Sequence, residues 1–371
     1  MEIPRHKSSL LNQIIFAFLI LINIFLLIKL NFYLPQLTGS VVLFDFDTYF
    51  NLLNDIKKNI NPYTVDYMQT LGPPLVFSFF LPFSYLNLVD ARSLISFLSI
   101  VLGILSCALL AKKFNNRNKK SHFLLYTFIL FSSFPARFAI ENGQPILVLV
   151  FLITVILTVD TSWKKSLSLA LLITIKTFFI VVFLAFIKKK EIVFNSIVFL
   201  GAVFILSSTL VKPQLYPFYI REKLPALIST DSIEKSTNYY NQSLRSTMHR
   251  LNAESIYQFT FYIVLLFLIF YIIKSENFEA SVVSAILLSP FSWQHYYAAL
   301  FPVFVSAYLL SANRPVLRFL LFVSVLAWWI EFPQLHEVKL VFSSGLLASH
   351  YFFSGLLLML VLIKLPNKKS A

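Results

Sequence analysis

Apolar runs long enough to cross a bilayer recur along this chain from Leu10 to Leu365, and no other feature constrains its fold as strongly. Inside hydrocarbon the backbone must satisfy its own hydrogen bonds, so a spanning segment is a helix or a strand of a closed barrel. These runs are too long and too continuous for barrel strands. The chain therefore reads as an all-α polytopic membrane protein, a bundle of roughly 10–13 transmembrane or half-membrane helices. It is expected to form a single domain over residues 1–371, with two long outer loops at 31–73 and 212–256.

Composition agrees. Only 13% of residues are charged, against about 25% in a soluble domain. The run Leu10–Leu30 is too long for a signal-peptide core and no small-residue cleavage site follows it, so it is expected to remain as a membrane helix. The single cysteine, Cys107, excludes a disulfide framework and a thiolate metal site and is expected to be packing.

A net charge of +14 suggests nucleic acid until its placement is read. The basic clusters sit at the ends of apolar runs: Arg5 and Lys7; Lys112 to Lys120; Lys164 and Lys165; Lys188 to Lys190; Arg314 and Arg318; Lys368 and Lys369. That is the positive-inside pattern. It marks the cytoplasmic side and points to membrane lipids as partners, with no nucleic acid. Putting every cluster inside threads the chain through spans at 10–30, 91–111, 122–140, 145–160, 191–211, 257–273, 316–331 and 340–364, with both termini cytoplasmic. Three stretches resist simple crossing. Residues 74–90 carry Pro73, Pro74 and Pro82; residues 166–187 hold Lys176 at their centre; residues 279–312 hold Ser289-Pro290 and Trp293 to Tyr296. Each is expected to be a broken helix or short pair, and such breaks line protein or a wet cavity.

The residues able to carry chemistry fall mostly on the outer side. Asp45 and Asp47, with Tyr49, lie in an aromatic stretch where a carboxylate can be desolvated into a general base; the same acids can equally be a cap or a surface pair. Asn61-Pro62-Tyr63 and Gly72-Pro73-Pro74 read as structural, a proline pair preorganising a helix entry. Glu141-Asn142-Gly143-Gln144 is a turn by its Asn-Gly, and Glu141 and Gln144 can also hydrogen-bond a sugar. Lys176, an ionisable group midway along an apolar run, is a functional candidate by cost alone and can meet a phosphate oxygen; the alternative is snorkelling to an interface. Asn241 and Gln242, followed by Arg245, His249 and Arg250, can grip a phosphate or sugar, or else form an interfacial helix. Trp293 and His295 sit beside the Pro290 break, where His295 can orient a phosphate or share a proton.

These pieces occur together and in order: Asp45-Phe46-x-x-Tyr49, Asn61-Pro62-Tyr63 leading to Pro73-Pro74, Gly143-Gln144, Lys176, Asn241-Gln242-Ser243 with Arg250, and Ser289-Pro290-x-Ser292-Trp293-x-His295-Tyr296. The set resembles the polyprenol-phosphate-mannose-dependent mannosyltransferases of glycosyltransferase family 87, in the GT-C superfamily. The resemblance implies Asp45 as catalytic base, with Asp47 second choice, a polyprenyl-phosphate sugar as donor, a glycolipid or glycan acceptor, and an active site facing away from the cytoplasm. Gly72 stands where that family often has Tyr, Pro145 comes where an Asn often follows Gly-Gln, and no proline follows Lys176. No cofactor and no metal is expected, since cationic side chains can hold a departing phosphate. The rival reading, from another class, is a lipid-linked substrate transporter or flippase, which would use the same broken helices.

Overall fold

The computed structural model describes residues 33–64, 72–114, 119–225, 239–332 and 342–365. The expected span at 10–30 and the basic residues Arg5, Lys7, Arg117, Lys368 and Lys369 lie outside them. Among the described residues there are helices and no named strands. The helices used below are α1 (Phe44–Lys57), α2 (Pro74–Phe80), α3 (Leu88–Phe114), α4 (Lys119–Ser132), α5 (Phe134–Glu141), α6 (Ile146–Thr158), α7 (Ser162–Ile175) and α8 (Lys190–Leu210). They continue with α9 (Leu244–Arg250), α10 (Tyr257–Ser275), α11 (Phe278–Leu288), α12 (Phe301–Leu310), α13 (Pro315–Trp329) and α14 (His350–Lys364).

Among these residues three helical stretches are long and apolar enough to cross a membrane, at Leu88–Phe114, Lys190–Leu210 and Glu254–Ser275, and a fourth if α4 and α5, bent by 62°, act as one. The molecule is an all-α polytopic membrane protein, as its hydropathy requires. Phe194, Phe204, Ile205 and Leu206 on α8, and Phe259, Leu266, Phe267 and Phe270 on α10, are exposed. Large aromatic faces of this extent are unfavourable in water and natural against lipid. Along α3 a buried stripe is built from small side chains: Ser99, Gly103, Cys107 and Ala111, four residues apart, are all buried. Such a stripe lets a neighbouring backbone approach closely.

Each expected break is present. Residues 74–90 form α2, then a 3-10 run at Leu81–Tyr85 that ends before α3. Residues 279–312 form α11, an irregular Ser289–Trp293 stretch, a 3-10 run at Gln294–Leu300, and α12. Residues 166–187 break at Lys176, whose backbone is extended (φ −140°, ψ 102°) between α7 and a 3-10 run at Thr177–Phe186.

One expectation changes. The 31–73 stretch, read as a loop, contains α1. It folds because Phe46, Phe50 and Leu53, with Leu52 and Ile56, repeat at helical spacing and are all buried. They pack with α2 and its 3-10 continuation into a small apolar cluster beside the main one. The 212–256 stretch likewise holds short helices at Leu215–Phe218 and Leu244–Arg250, while residues 226–238 lie outside the described set. The candidate site lies where the two clusters meet: α1 brings Asp45 and Tyr49 from one, and the Lys176 break and Tyr296 come from the other.

Candidate active site

Asp45 is placed by two backbone devices. The turn after α5 closes with Gly143 at φ +66°; its N–H donates to Ile140 (3.0 Å) and that of Gln144 donates to Ala139 (2.8 Å). This left-handed helix stop suits glycine. The turn then accepts the first-turn N–H of α1, from Phe46 to the Asn142 carbonyl at 3.1 Å. The approach is close: a Cβ on Gly143 would lie 2.5 Å from the Phe46 Cβ. Held in this way, the Gln144 side-chain amide donates to Asp45 Oδ2 at 2.8 Å.

Burial drives the Asp45 carboxyl above the ordinary carboxylate range, while the Gln144 hydrogen bond and the Lys176 charge pull it back in part. Its neighbour on the next turn face is different. Asp47 accepts both Nε (2.8 Å) and a terminal nitrogen of Arg92. A bidentate ion pair of this kind uses up the carboxylate. Of the two acids, Asp45 is the one facing Lys176.

Lys176 is buried, and its ammonium donates to the Tyr296 hydroxyl at 3.0 Å. Tyr49 stacks on Phe80, ring centroids 4.4 Å apart, and burial pushes its phenol up to about 12. Tyr49, Lys176 and Tyr296 line a cavity of about 480 Å³, together with Arg245, Tyr219 and Tyr257. Arg245 lies over the Tyr257 ring, 5.8 Å from its centroid. Asn61 and Tyr63 have structural jobs: the Asn61 side chain accepts from the Tyr63 N–H, and the Tyr63 hydroxyl donates to the Gly72 carbonyl just before the proline pair.

The other candidates are placed elsewhere. Arg250 is buried and donates to Ser349 Oγ (2.8 Å), Ser246 Oγ (2.7 Å) and the Asn241 carbonyl (3.0 Å); burial lowers it to about 10. Asn241 Oδ1 accepts from the N–H groups of Ser243 and Ser292, and its amide donates to Pro290. The Gln242 N–H donates to Ser292, and its side chain donates to Tyr239 and Ala348. Asn241, Gln242 and Arg250 therefore hold the Ser289–Trp293 break in place; neither they nor Asp45 are among the residues that line the cavity, to which Asp45 is coupled through the Lys176 charge. Trp293 pairs with Asn241 through a single antiparallel bridge. His249 pairs with Glu254 at 2.9 Å on an exposed surface. Glu141 is exposed at the end of α5. His295 is buried edge-on to Tyr296 and beside Phe138, and neither ring nitrogen has a hydrogen-bond partner among the described residues.

Reading the sequence missed two participants. Tyr296 was part of a motif with no role of its own, and Arg92 gave no signal, being 45 residues from the acid it binds.

The model of glycosyltransferase family 87 matches residues 71–290. The chain belongs to glycosyltransferase family 87. No curated protein and no solved structure matches it. Membership makes the chain a membrane glycosyltransferase and sets the transporter reading aside. The matched stretch of this family 87 glycosyltransferase contains Gln144, Lys176 and Arg245. Asp45 and Tyr49 precede it and His295 follows it, joining it through Gln144, Phe80 and Phe138.

Proposed function

We propose that this family 87 enzyme transfers a hexose, mannose by its motifs, from a polyprenyl phosphate to an acceptor hydroxyl on a glycolipid or glycan. Asp45 takes the acceptor proton as the hydroxyl oxygen attacks the anomeric carbon. The bond from that carbon to the phosphate oxygen breaks, and the polyprenyl phosphate leaves with the electron pair. Single displacement with one base inverts the anomeric centre. Lys176 on the buried wall and Arg245 on the rim face the charge that grows on the leaving phosphate, the type of fixed electrostatic stabilisation that contributes most in a dry site. We place the reaction on the non-cytoplasmic side of a bacterial cytoplasmic membrane, since the positive-inside pattern puts the lysine-rich helix ends in the cytoplasm and none of those lysines lines the cavity.

One observation carries the reading. A desolvated carboxylate, held by a single amide, lies within Coulomb reach of a buried lysine at a helix break. The test uses purified protein in lipid vesicles, radiolabelled polyprenyl-phosphate hexoses and a host lipid extract. Asp45→Asn is expected to keep donor binding and lose transfer. Wild-type transfer by Asp45→Asn would overturn the role of Asp45, and transfer only from nucleotide sugars would overturn the donor class.

A further inference from the structure

Lys176 does not stand alone on the buried wall of the sugar-transfer cavity. Its ammonium donates to the Tyr296 hydroxyl at 3.0 Å and lies 4.6 Å from the centre of the same ring. Both residues line the cavity. They are 120 residues apart and meet because each sits at a helix break, Lys176 between α7 and the Thr177–Phe186 run, Tyr296 in the Gln294–Leu300 run. Packing fixes the Tyr296 ring, with Phe178 at 5.4 Å and His295 edge-on at 4.7 Å between centroids. A phenol oxygen that accepts from an ammonium still has its own proton to donate. Among the described residues no side chain or carbonyl takes that proton. The Asp45 carboxylate is within Coulomb reach of the phenol, but its hydrogen bond comes from Gln144. Buried polar groups are nearly always paired, so an unplaced O–H on a cavity wall points to a group that enters the cavity.

The proposed reaction supplies that group. A sugar joined to a polyprenyl phosphate is a phosphodiester with a single negative charge. When the bond from the anomeric carbon to the phosphate oxygen breaks, the phosphate leaves as a monoester with a second charge, and its oxygens become stronger acceptors. A hydroxyl polarised by an ammonium is a stronger donor. A donor that meets charge arising only as the bond breaks raises kcat more than it tightens donor binding. We infer that Tyr296 is a further catalytic residue: its hydroxyl, held and polarised by Lys176, hydrogen-bonds a non-bridging oxygen of the departing phosphate. The phenol keeps its proton throughout. The electron pair of the broken bond goes to the phosphate, and the proton of the acceptor hydroxyl goes to Asp45. This role rests on the phosphate-linked donor proposed above.

The test compares the full-length wild-type protein with Tyr296→Phe, which keeps the ring and removes only the hydroxyl oxygen. Single-turnover transfer from a radiolabelled polyprenyl-phosphate hexose is measured in vesicles, alongside binding of that donor and of free polyprenyl phosphate. Tyr296→Phe is expected to slow transfer about 10²-fold. It is expected to bind free polyprenyl phosphate about tenfold more weakly and the donor nearly as well as wild type. A phenol that only shaped the cavity would change both ligands alike. In a Lys176→Met background, Tyr296→Phe is expected to slow transfer by a further factor of about ten, because a hydroxyl that touches the phosphate acts without the lysine. Should Tyr296→Phe fail to fold, 3-fluorotyrosine at position 296 keeps the hydroxyl and makes it a stronger donor; it is expected to tighten free polyprenyl phosphate relative to the donor. A wild-type rate in Tyr296→Phe, equal weakening of both ligands, no further loss in the Lys176→Met protein, or an unchanged ligand ratio with fluorotyrosine overturns the inference. Failure of the wild-type protein to use the phosphate-linked donor overturns the donor class, and this role with it, before any variant is compared.

Discussion

Replacing Gly143 by alanine tests the geometry that positions Asp45 more sharply than removing the acid. The new methyl group would stand 2.5 Å from the Phe46 Cβ and 3.0 Å from the Leu43 Cβ. Both atoms are fixed to the α1 backbone and cannot swing aside. The left-handed φ of +66° adds ~1–2 kcal/mol for a residue with a Cβ. Overpacking of this kind costs ~1–3 kcal/mol, and loss of the Phe46 to Asn142 hydrogen bond ~1 kcal/mol. If the structure relaxes instead, the two backbones must part until the contact reaches an ordinary 3.4 Å. The 2.8 Å Gln144–Asp45 hydrogen bond would then stretch out of range, and a displacement near 1 Å at a reacting group costs ~10²-fold in rate. The assay pairs thermal unfolding in detergent with sugar transfer in vesicles. Gly143→Ala is expected to lower the unfolding temperature by several degrees and to reduce transfer by about two orders of magnitude. Gly201→Ala, where an added Cβ meets nothing within 4 Å, is expected to change neither. A Gly143→Ala protein with wild-type stability and rate would show that the close approach of turn and helix does not set the base.

Further outcomes follow from the same contacts. The raised Asp45 carboxyl must be ionised to act, so transfer is expected to fall as pH drops through a value above the ordinary carboxylate range, visible as the acid limb of the rate profile. Because its burial favours the neutral form, its stabilising contribution is present at low pH and lost as pH rises through that value. Asp45→Asn is therefore expected to unfold no earlier than wild type at pH 7 while losing ~10²–10⁴ in rate. Asp47→Asn leaves Arg92 half-paired at a partly buried site and is expected to cost ~1–3 kcal/mol in unfolding measurements with a smaller loss of rate than Asp45→Asn. Lys176→Met is expected to lower kcat by ~10²–10³, read in single-turnover transfer. Arg250→Met removes the hydrogen bonds to Ser349, Ser246 and Asn241 and is expected to lower the unfolding temperature while leaving the donor KM of the folded fraction unchanged.

The parts of this molecule that could be read in advance are those where one residue is costly in its local setting. Lys176 within an apolar run and Ser289-Pro290 within another each cost too much to sit in a continuous lipid-facing helix, and both are breaks in the structure. Helix α1 escaped because polar residues, Asp45, Asp47, Thr48, Asn51, Asn54 and Asp55, interrupt its apolar ones, so that they never stand out as a run. The division of labour between Asp45 and Asp47 was also invisible. It depends on Arg92 and Gln144, brought in from 45 and 99 residues away. Arg250 misled for the opposite reason. A cation in a polar motif suggests an anion-binding role, but here Nε and one terminal nitrogen donate to neighbouring hydroxyls and a carbonyl.

The seam between residues 239–243 and 289–294 limits how the sugar-transfer cavity can open. Its two strips exchange N–H donations from Gln242 to Ser292 at 2.6 Å and from Gln294 to Tyr240 at 2.9 Å, with the Asn241 side chain closing the same joint. Parting them would leave several backbone groups unpaired at once, each costing ~1–3 kcal/mol where it stays buried. Leu224, Tyr257 and Tyr262 line the same cavity and take no part in this seam.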